Sequence, residues 1–380
     1  MARPADVIGV EMGERHRFDV RRGAPGKGGA TAGVQRQYMG CAGRIANGVN
    51  TVYCTYATAG GHGLVGARIY VPADQLADPD RRAGMGIGDE VTFRAKPELA
   101  IDLLTDMVAD HTMPPWCAGD EVYGRCGRLR TFCEDHEIGY VLRVGCGFHA
   151  QLTPTLRLRA DAAVTRFLAD PGAWETRAVA GSKGERAYAW AWAATTSPRH
   201  FLLIRKHLLT GQLAYHYCWV PPGRPATLAV LVQVACLRWP VEEDFEFGKD
   251  HFGLDHAQVR LYTALQRHIV LAMAALAVCA VTAARAKTRA PAPILPTTPD
   301  DQPPADPGLI ALTVAEIKRL FTLVTRPRRP ETHHLRWLWW RRRHQARARW
   351  FHHRARLRRQ AATTSQDQKC GCRTRQSPVH

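Results

Sequence analysis

The sequence predicts an α/β protein with a β-rich insertion and a basic helical tail. Residues 31–146 support the α/β assignment, because strand-like and helix-like hydrophobic patterns alternate along them. Residues 147–230 differ, since aromatic and β-branched strand-like runs dominate them and indicate an insertion. Residues 326–380 hold 16 Lys and Arg against 2 Asp and Glu, and so carry +14 of the formal net charge of +18.

The first half of the chain supplies most of the predicted sheet. Residues 1–30 are rich in Arg, Gly, Ala and Pro and lack periodicity, so we expect them to be irregular. After them, apolar residues at alternate positions predict strands, and apolar residues at helical spacing predict helices. The predicted strands are 31–38, 49–57, 66–72 and 138–146, and the predicted helices are 97–111 and 123–136.

The second half predicts strands first and helices later. Residues 186–195 favour a strand, and residues 200–220 favour a hairpin that turns at Thr210-Gly211. The uncharged run at 269–284 is shorter than the roughly 20 residues of a membrane span, so we expect a buried core helix. Helical patterns also cover 225–252, and the domains we expect are 31–286 (α/β), 287–308 (Pro-rich linker) and 309–380 (basic helical tail).

The composition narrows the class of partner. A pI near 9.8 favours a polyanion, most simply nucleic acid, with an anionic membrane as the alternative. The eleven cysteines form no CxxC pair, which is typical of a reducing cytoplasm rather than a disulfide framework. The N-terminal residues lack the apolar run of a signal peptide. We therefore expect a cytoplasmic, nucleoid-associated protein without a membrane partner.

Two acidic positions suggest chemistry. Asp120 follows a short hydrophobic segment and precedes a helix, the place where open α/β sheets carry functional side chains. In RWPVEEDFEFGK, helical spacing puts Arg238, Glu242 and Lys249 near one face. A carboxylate there can hold a divalent metal while the two cations bind phosphate. The alternative is a set of ordinary salt bridges on a solvated helix face.

This segment resembles a transposase signature. Arg238, Glu242 and Lys249 match the Arg, Glu and Lys of the Tyr-x2-Arg-x3-Glu-x6-Lys motif of bacterial insertion-sequence DDE transposases. Several further segments, in the same order along the chain, are similar to the branch typified by insertion sequence seven-hundred-one. They are GVQRQYMGCAGRIAN (33–47), GDEVYGR (119–125), GLDHAQVR (253–260), QRHIVLAMAALA (266–277) and WRRRHQARAR (340–349).

The resemblance implies an RNase H-like core with three carboxylates that bind two Mg²⁺ ions. Asp120 takes the second carboxylate place and Glu242 the third, while Arg238 and Lys249 hold backbone phosphate. A metal-activated water would cut double-stranded DNA at the transposon end, and the freed 3′-hydroxyl would attack target DNA. The β-rich insertion would lie before the helix of Glu242, and a homodimer in a synaptic complex is a further possibility.

The sequence departs from this pattern at two places. The signature tyrosine is replaced by Ala235. The first aspartate falls near Val20 or Arg21, and Asp19 is close but out of register. One hypothesis is that residues 1–26 are out-of-frame translation of a truncated or decayed element, which the codons of Arg21-Arg22 would test. The other is a divergent strand in which Asp19 serves.

The remaining candidates are aromatic and basic. Trp190, Trp192 and Trp219 could stack on a flipped base, although packing is the commoner role of tryptophan. The tail suits DNA phosphate contact, with a solvated tail as the alternative, and its histidines and cysteines match no standard zinc spacing. We expect the protein to be a DNA transposase, either active or an inactive remnant of one. The alternative is a non-catalytic DNA-binding protein that descends from a transposase. The tail residues assigned to phosphate are Arg341, Arg342 and Arg343.

Overall fold

A computed structural model describes most of the chain. It forms two compact units, Met1–Leu320 and Phe321–His380. For residues 7–15, 38–39, 178–181 and 184–186 the structure describes the backbone alone. The residues described are 7–15, 31–39, 43–58, 60–181, 184–288, 311–325, 332–333, 335–344 and 346–347.

Ten strands form one mixed sheet in the first unit. Its order is β2-β3-β1-β5-β6-β12-β11-β10-β9, with β4 paired to the second half of β3, and β7 and β8 form a separate pair. The strands are β1 (Val7–Arg15), β2 (Val34–Met39), β3 (Arg44–Ala57), β4 (His62–Ile69), β5 (Trp116–Gly119), β6 (Gly139–Val144), β7 (His149–Thr153), β8 (Leu156–Arg159), β9 (Glu175–Gly181), β10 (Gly184–Ala194), β11 (His200–His207) and β12 (Leu213–Trp219).

The sheet is parallel only at its centre. Strand β1 pairs antiparallel with β3 and parallel with β5, and β5 pairs parallel with β6. This mixed α/β arrangement is consistent with the RNase H-like core that the resemblance implies. The expectation of irregular structure in residues 1–30 differs from the structure at Val7–Arg15, which is the central strand. Asp19 lies outside the described residues.

Helices cover both faces of the sheet. One face packs against α3, α4 and α5, and the other packs against α7, α8 and α9. The helices are α1 (Ala73–Leu76), α2 (Pro79–Gly84), α3 (Lys96–Ala109), α4 (Glu121–Gly124), α5 (Gly127–Asp135), α6 (Ala160–Phe167), α7 (Leu228–Cys236), α8 (Pro240–Phe252), α9 (Tyr262–Lys287) and α10 (Val314–Thr325).

The α3 face contains three buried free thiols. Cys54 of β3, Cys117 of β5 and Cys133 of α5 are fully buried in one cluster with Leu104 and Leu142. Burial raises the pKa of Cys54 far above its usual value. The pKa of Cys133 is raised as well, by a hydrogen bond with Cys117 and by burial. Cys54 and Cys133 are therefore protonated and act as apolar packing groups.

The β-rich region extends the main sheet. Strand β12 pairs with β6, so β9–β12 continue the sheet outward and do not form a domain of their own. The predicted hairpin is present, because β11 and β12 pair antiparallel on either side of Thr210-Gly211. The predicted strand at 186–195 corresponds to β10. The helices α7 and α8 then bring the chain onto the face of the sheet opposite to the one that packs against α3.

Helix α9 is buried on one face only. Ile269, Leu276 and Cys279 are buried, whereas Leu271 and Val278 are exposed. The expectation of a buried core helix is therefore correct for one face of the helix only. By length and composition alone the helix could cross a membrane, but its buried face packs on β4 and α8 as a core helix does.

The linker and tail are described in part. Most of the predicted linker, from 289 onward, lies outside the described residues. In the first unit α10 packs Ile317 against Cys279 and Ala283 of α9. In the second unit residues 335–344 are helical, and Arg341, Arg342 and Arg343 are exposed there. Within this helix Trp340 stacks on Trp337 at 5.0 Å and on His344 at 5.1 Å.

A buried ion pair fixes α8 to the sheet. His62 Nδ1 of β4 lies 2.8 Å from Asp244 Oδ1, and His62 Nε2 lies 3.3 Å from Glu243 Oε2. Burial alone would lower the pKa of His62, but the hydrogen bonds to Asp244 and Glu243 outweigh it and raise the pKa to about 9. Asp244 is 1% exposed, so this contact holds the first turns of α8 against β4.

The His62 contact predicts a pH-dependent stability. The folded-state pKa of about 9 lies above the unfolded value of 6.5, so the stabilisation is complete below pH 6.5 and is lost as pH rises through 9. In urea titrations between pH 6 and 10, His62→Ala should lose roughly 3–5 kcal/mol at pH 6, because it leaves Asp244 buried and unpaired. The difference from wild type should shrink toward pH 10. A constant difference across this range would contradict the assignment.

Gly124 predicts a second stability effect. A Cβ at Gly124 would lie 1.9 Å from the carbonyl oxygen of Arg143, so α4 can approach β6 only without a side chain there. Gly124→Ala should lower the free energy of unfolding by roughly 1–3 kcal/mol. Gly127→Ala is the matched control, since its nearest neighbour would be Arg130 Nη2 at 3.8 Å. Equal urea midpoints for the two variants would show that the close approach is not tight.

Candidate functional site

Asp120 stands at the carboxyl end of β5 and is fixed by the helix after it. The four residues of β5 are all buried, and Asp120 is the first residue beyond them. Its Oδ1 accepts hydrogen bonds from the backbone N–H of Val122 at 2.8 Å and of Tyr123 at 3.4 Å. Asp120 is thus the N-cap of α4, and this cap sets the direction of its carboxylate.

The strands beside β5 place two further charged residues at the same end. Gly119 pairs with Val10 of β1 on one side and with Leu142 of β6 on the other. The residues that follow these partners are Glu11 and Arg143, one register position along. Because parallel strands end at the same edge, an acid and a base flank the position of Asp120.

The position of Glu11 was missed by the sequence analysis. A usable signal existed, since VIGV followed by Glu11 has the same form as WCAG followed by Asp120, a short apolar run that ends in an acid. Glu11 pairs with Tyr53 of β3, whose ring packs against Phe245 of α8 with centroids 5.3 Å apart. Residues paired across a ladder share a face, so Glu11 occupies a position on the face that α8 covers.

Helix α8 brings in Glu242. Pro240 at the first helical position and two glutamates in the first turn favour the helix start, and Gly253 ends it with φ 65°. Arg238 Nη2 lies 3.0 Å from Glu242 Oε1, as the predicted spacing requires. Glu242 is 42% exposed against 15% for Arg238, so the acid keeps access to solvent. Lys249 instead lies over the ring of Phe245, with Nζ 5.8 Å from its centroid.

Arginines surround the buried His216 next to this pair. His216 of β12 pairs directly with Arg143 of β6, and burial lowers its pKa to about 3, with further lowering by the charges of Arg205, Arg143 and Arg238. His216 is therefore neutral. Of the arginines around it, Arg143 lies beside the carboxyl end of β5, and Arg238 pairs with Glu242.

The carboxylates of this region determine whether the Mg²⁺ that the resemblance implies could be held here. Carboxylate oxygens are the ligands that Mg²⁺ prefers, and Asp120 and Glu242 are the predicted donors. Among the residues whose side chains are described, no three His, Cys, Asp or Glu groups lie close enough together to hold a metal ion. On β1, Glu11 has the register position from which a third carboxylate could come.

The tryptophans of the β-rich region are packing residues. Trp190 is 1% exposed and Trp219 is 9% exposed, both inside the sheet's hydrophobic clusters. Trp192 is partly buried and packs against Phe201 at 4.7 Å. The base-stacking hypothesis therefore loses its support at Trp190 and Trp219, because a stacked base needs an open ring face.

Comparison with known families gives one match. Residues 23–199 match the family model described as DDE superfamily endonuclease. The match supports a DDE transposase-like family for this chain and covers Asp120. It begins after Asp19 and Glu11 and ends before Arg238 and Glu242. A search of curated proteins found no match.

The cap role of Asp120 predicts separable effects. Asp120→Ala removes the N-cap and should lower the free energy of unfolding by about 1 kcal/mol in urea titrations. Asp120→Asn keeps a capping oxygen and should stay within about 0.5 kcal/mol of wild type, although it removes the charge. Equal destabilisation by both variants would mean that the charge, not the cap, holds α4.

Proposed function

We propose that the chain is an insertion-sequence transposase of the branch typified by insertion sequence seven-hundred-one, which cleaves and joins DNA at the element's ends by phosphoryl transfer. The observation that supports this proposal is the register that puts Glu11 and Arg143 on either side of Asp120, with the Arg238–Glu242 pair on a helix that covers the same face of the sheet. Asp120, Glu11 and the Arg238–Glu242 pair come from three separate segments. The family match at residues 23–199 adds independent support.

The proposed roles follow from chemistry and position. Asp120, Glu242 and Glu11 would hold two Mg²⁺ ions, which when bound supply charge neutralisation and an activated water or hydroxyl. Glu11 takes the first carboxylate place in this proposal, in preference to Asp19. Arg238 orients Glu242 through their hydrogen bond and can shift to a DNA phosphate, since a guanidinium binds carboxylate and phosphate alike.

The basic tail would add affinity without chemistry. Arg341, Arg342 and Arg343 are exposed on the helical residues 335–344, where they can release counterions from duplex DNA. Lys249 is a weaker candidate for phosphate contact, because its ammonium group lies over Phe245. A homodimer in a synaptic complex and action in the bacterial nucleoid belong to the same proposal.

The second candidate is a non-catalytic DNA-binding descendant. The observation that favours it is that the family match begins at residue 23, after every acid that could be the first carboxylate. If residues 1–26 are translated out of frame, β1 is a substitute strand without a catalytic role. The nucleotide sequence tests this hypothesis directly, since Arg21-Arg22 written CGA-CGA-G would read Asp-Glu in the next frame.

Glu11→Gln separates the two candidates. If the protein is a transposase, wild type should bind Mn²⁺ in calorimetry and should nick a duplex that carries the element's end. Glu11→Gln and Glu242→Gln should each lose Mn²⁺ binding and nicking. Removal of a metal-binding carboxylate should reduce cleavage by at least about 10²-fold. Glu14→Gln, on the same strand, is the matched control and should behave as wild type.

One outcome decides against the transposase, and a second decides only against Glu11. If wild type binds DNA with a steep salt dependence but neither binds Mn²⁺ nor cleaves, the non-catalytic descendant is the better description. If wild type cleaves and Glu11→Gln cleaves equally well, the catalytic proposal stands but the first carboxylate is another residue, and Asp19→Asn becomes the next variant to measure.

A further inference from the structure

Three arginines lie on one face of the sheet, and among the described residues two of them, Arg143 and Arg205, form no ion pair with an acid. Arg143 follows Val141 by two residues on β6, and Arg205 follows Leu203 by two residues on β11. Val141 and Leu203 both pack in the cluster under α7, so alternation puts Arg143 and Arg205 on that face. Arg238 reaches the same place from the turn between α7 and α8.

The centre of this group is His216. It pairs with Arg143 on one side and with Leu203 on the other, and its ring centroid lies 6.2 Å from that of Trp190. His216 is 7% exposed and Trp190 is 1% exposed. Within the part of the chain that the structure describes, His216 Nδ1 and Trp190 Nε1 have no hydrogen-bond partner. Buried polar atoms of this kind call for an explanation such as a bound ion or water.

Two of these arginines carry charge that no acid in the described part of the chain compensates. Among the described residues, neither Arg143 nor Arg205 forms an ion pair with a carboxylate, and Arg205 instead stacks on Tyr188 with Cζ 4.6 Å from the ring centroid. Arg205 is half-buried, and burial lowers its pKa. Keeping several guanidinium groups together in a partly buried place is unfavourable unless an anion joins them.

We propose that Arg143, Arg205 and Arg238 bind a backbone phosphate of DNA beside the candidate carboxylates Asp120 and Glu242. The buried, neutral His216 lies at the bottom of this site, and the exposed Arg143 lies on the side that is open to solvent. Arg143 and Arg205 lie outside the Arg-Glu-Lys signature, so the site assigns a DNA-binding role to β6 and to the β-rich region. The identity of the anion as DNA rests on the proposed function, whereas the anion site itself does not.

The first test uses inorganic pyrophosphate at constant ionic strength. Pyrophosphate should raise the Tm of wild type, because a ligand of the folded state stabilises it. Arg143→Gln and Arg205→Gln should each lose most of that rise. Arg128→Gln is the matched control, since Arg128 is 72% exposed and pairs with Glu98 on the opposite face. An unchanged rise in Arg143→Gln, whose exposed side chain can be removed without unfolding, would overturn the proposal.

The second test uses a fluorescent DNA duplex in a salt series. Arg143→Gln and Arg205→Gln should each weaken binding several-fold and reduce the slope of log K against log salt by about 0.9, the value of one lost phosphate contact. Arg128→Gln should leave the slope unchanged. If wild type binds DNA and both variants bind as tightly, the inference fails while DNA binding stands. If pyrophosphate protects through Arg143 but wild type binds no duplex, the anion site stands and the proposed function fails.

Discussion

The backbone pairing of β1 is the constraint on which the rest of the structure depends. All nine residues of this strand pair with β3, and four of them pair with β5. Within the described residues this is the connection between the β2–β4 part of the sheet and the β5–β12 part. Without it, the backbone groups of β3 and β5 would lose their ladder partners in the interior, which a folded chain does not tolerate. The position of Glu11 beside the carboxyl end of β5 depends on this strand.

Charge is then distributed in two zones around that centre. Acids come from β1, β5 and α8, while arginines come from β6, β11 and the turn before α8. Arg238 belongs to both zones, because it pairs with Glu242 and faces His216. Such a division suits a polyanion that arrives with divalent cations, since each zone attracts one of the two charges. The buried His62–Asp244 pair holds the helix that connects the zones.

Local pattern was sufficient for many elements, but it missed β1 and did not give the roles of the residues. The alternation of β3, the period of α3 and the turn at Thr210-Gly211 are local properties, and each predicted element is present. The spacing of Arg238 and Glu242 also predicted their contact, because one helical turn separates them. Glu11 was missed because its place depends on pairing with Tyr53 and on the neighbouring Gly119, both distant in sequence. Arg143 and Arg205 were missed for the same reason, since strand register brings them together.

The reactivity of the buried thiols on the α3 face reports whether β1 is paired with its neighbouring strands. Cys54 is the register partner of Val10, and Cys117 is the register partner of Ile8, so the two thiols mark the strands on either side of β1. Both are inaccessible while the sheet is closed. An alkylating reagent would therefore reach them only when this part of the sheet opens. Their rate of modification measures how often the two parts of the sheet separate, without any label on β1 itself.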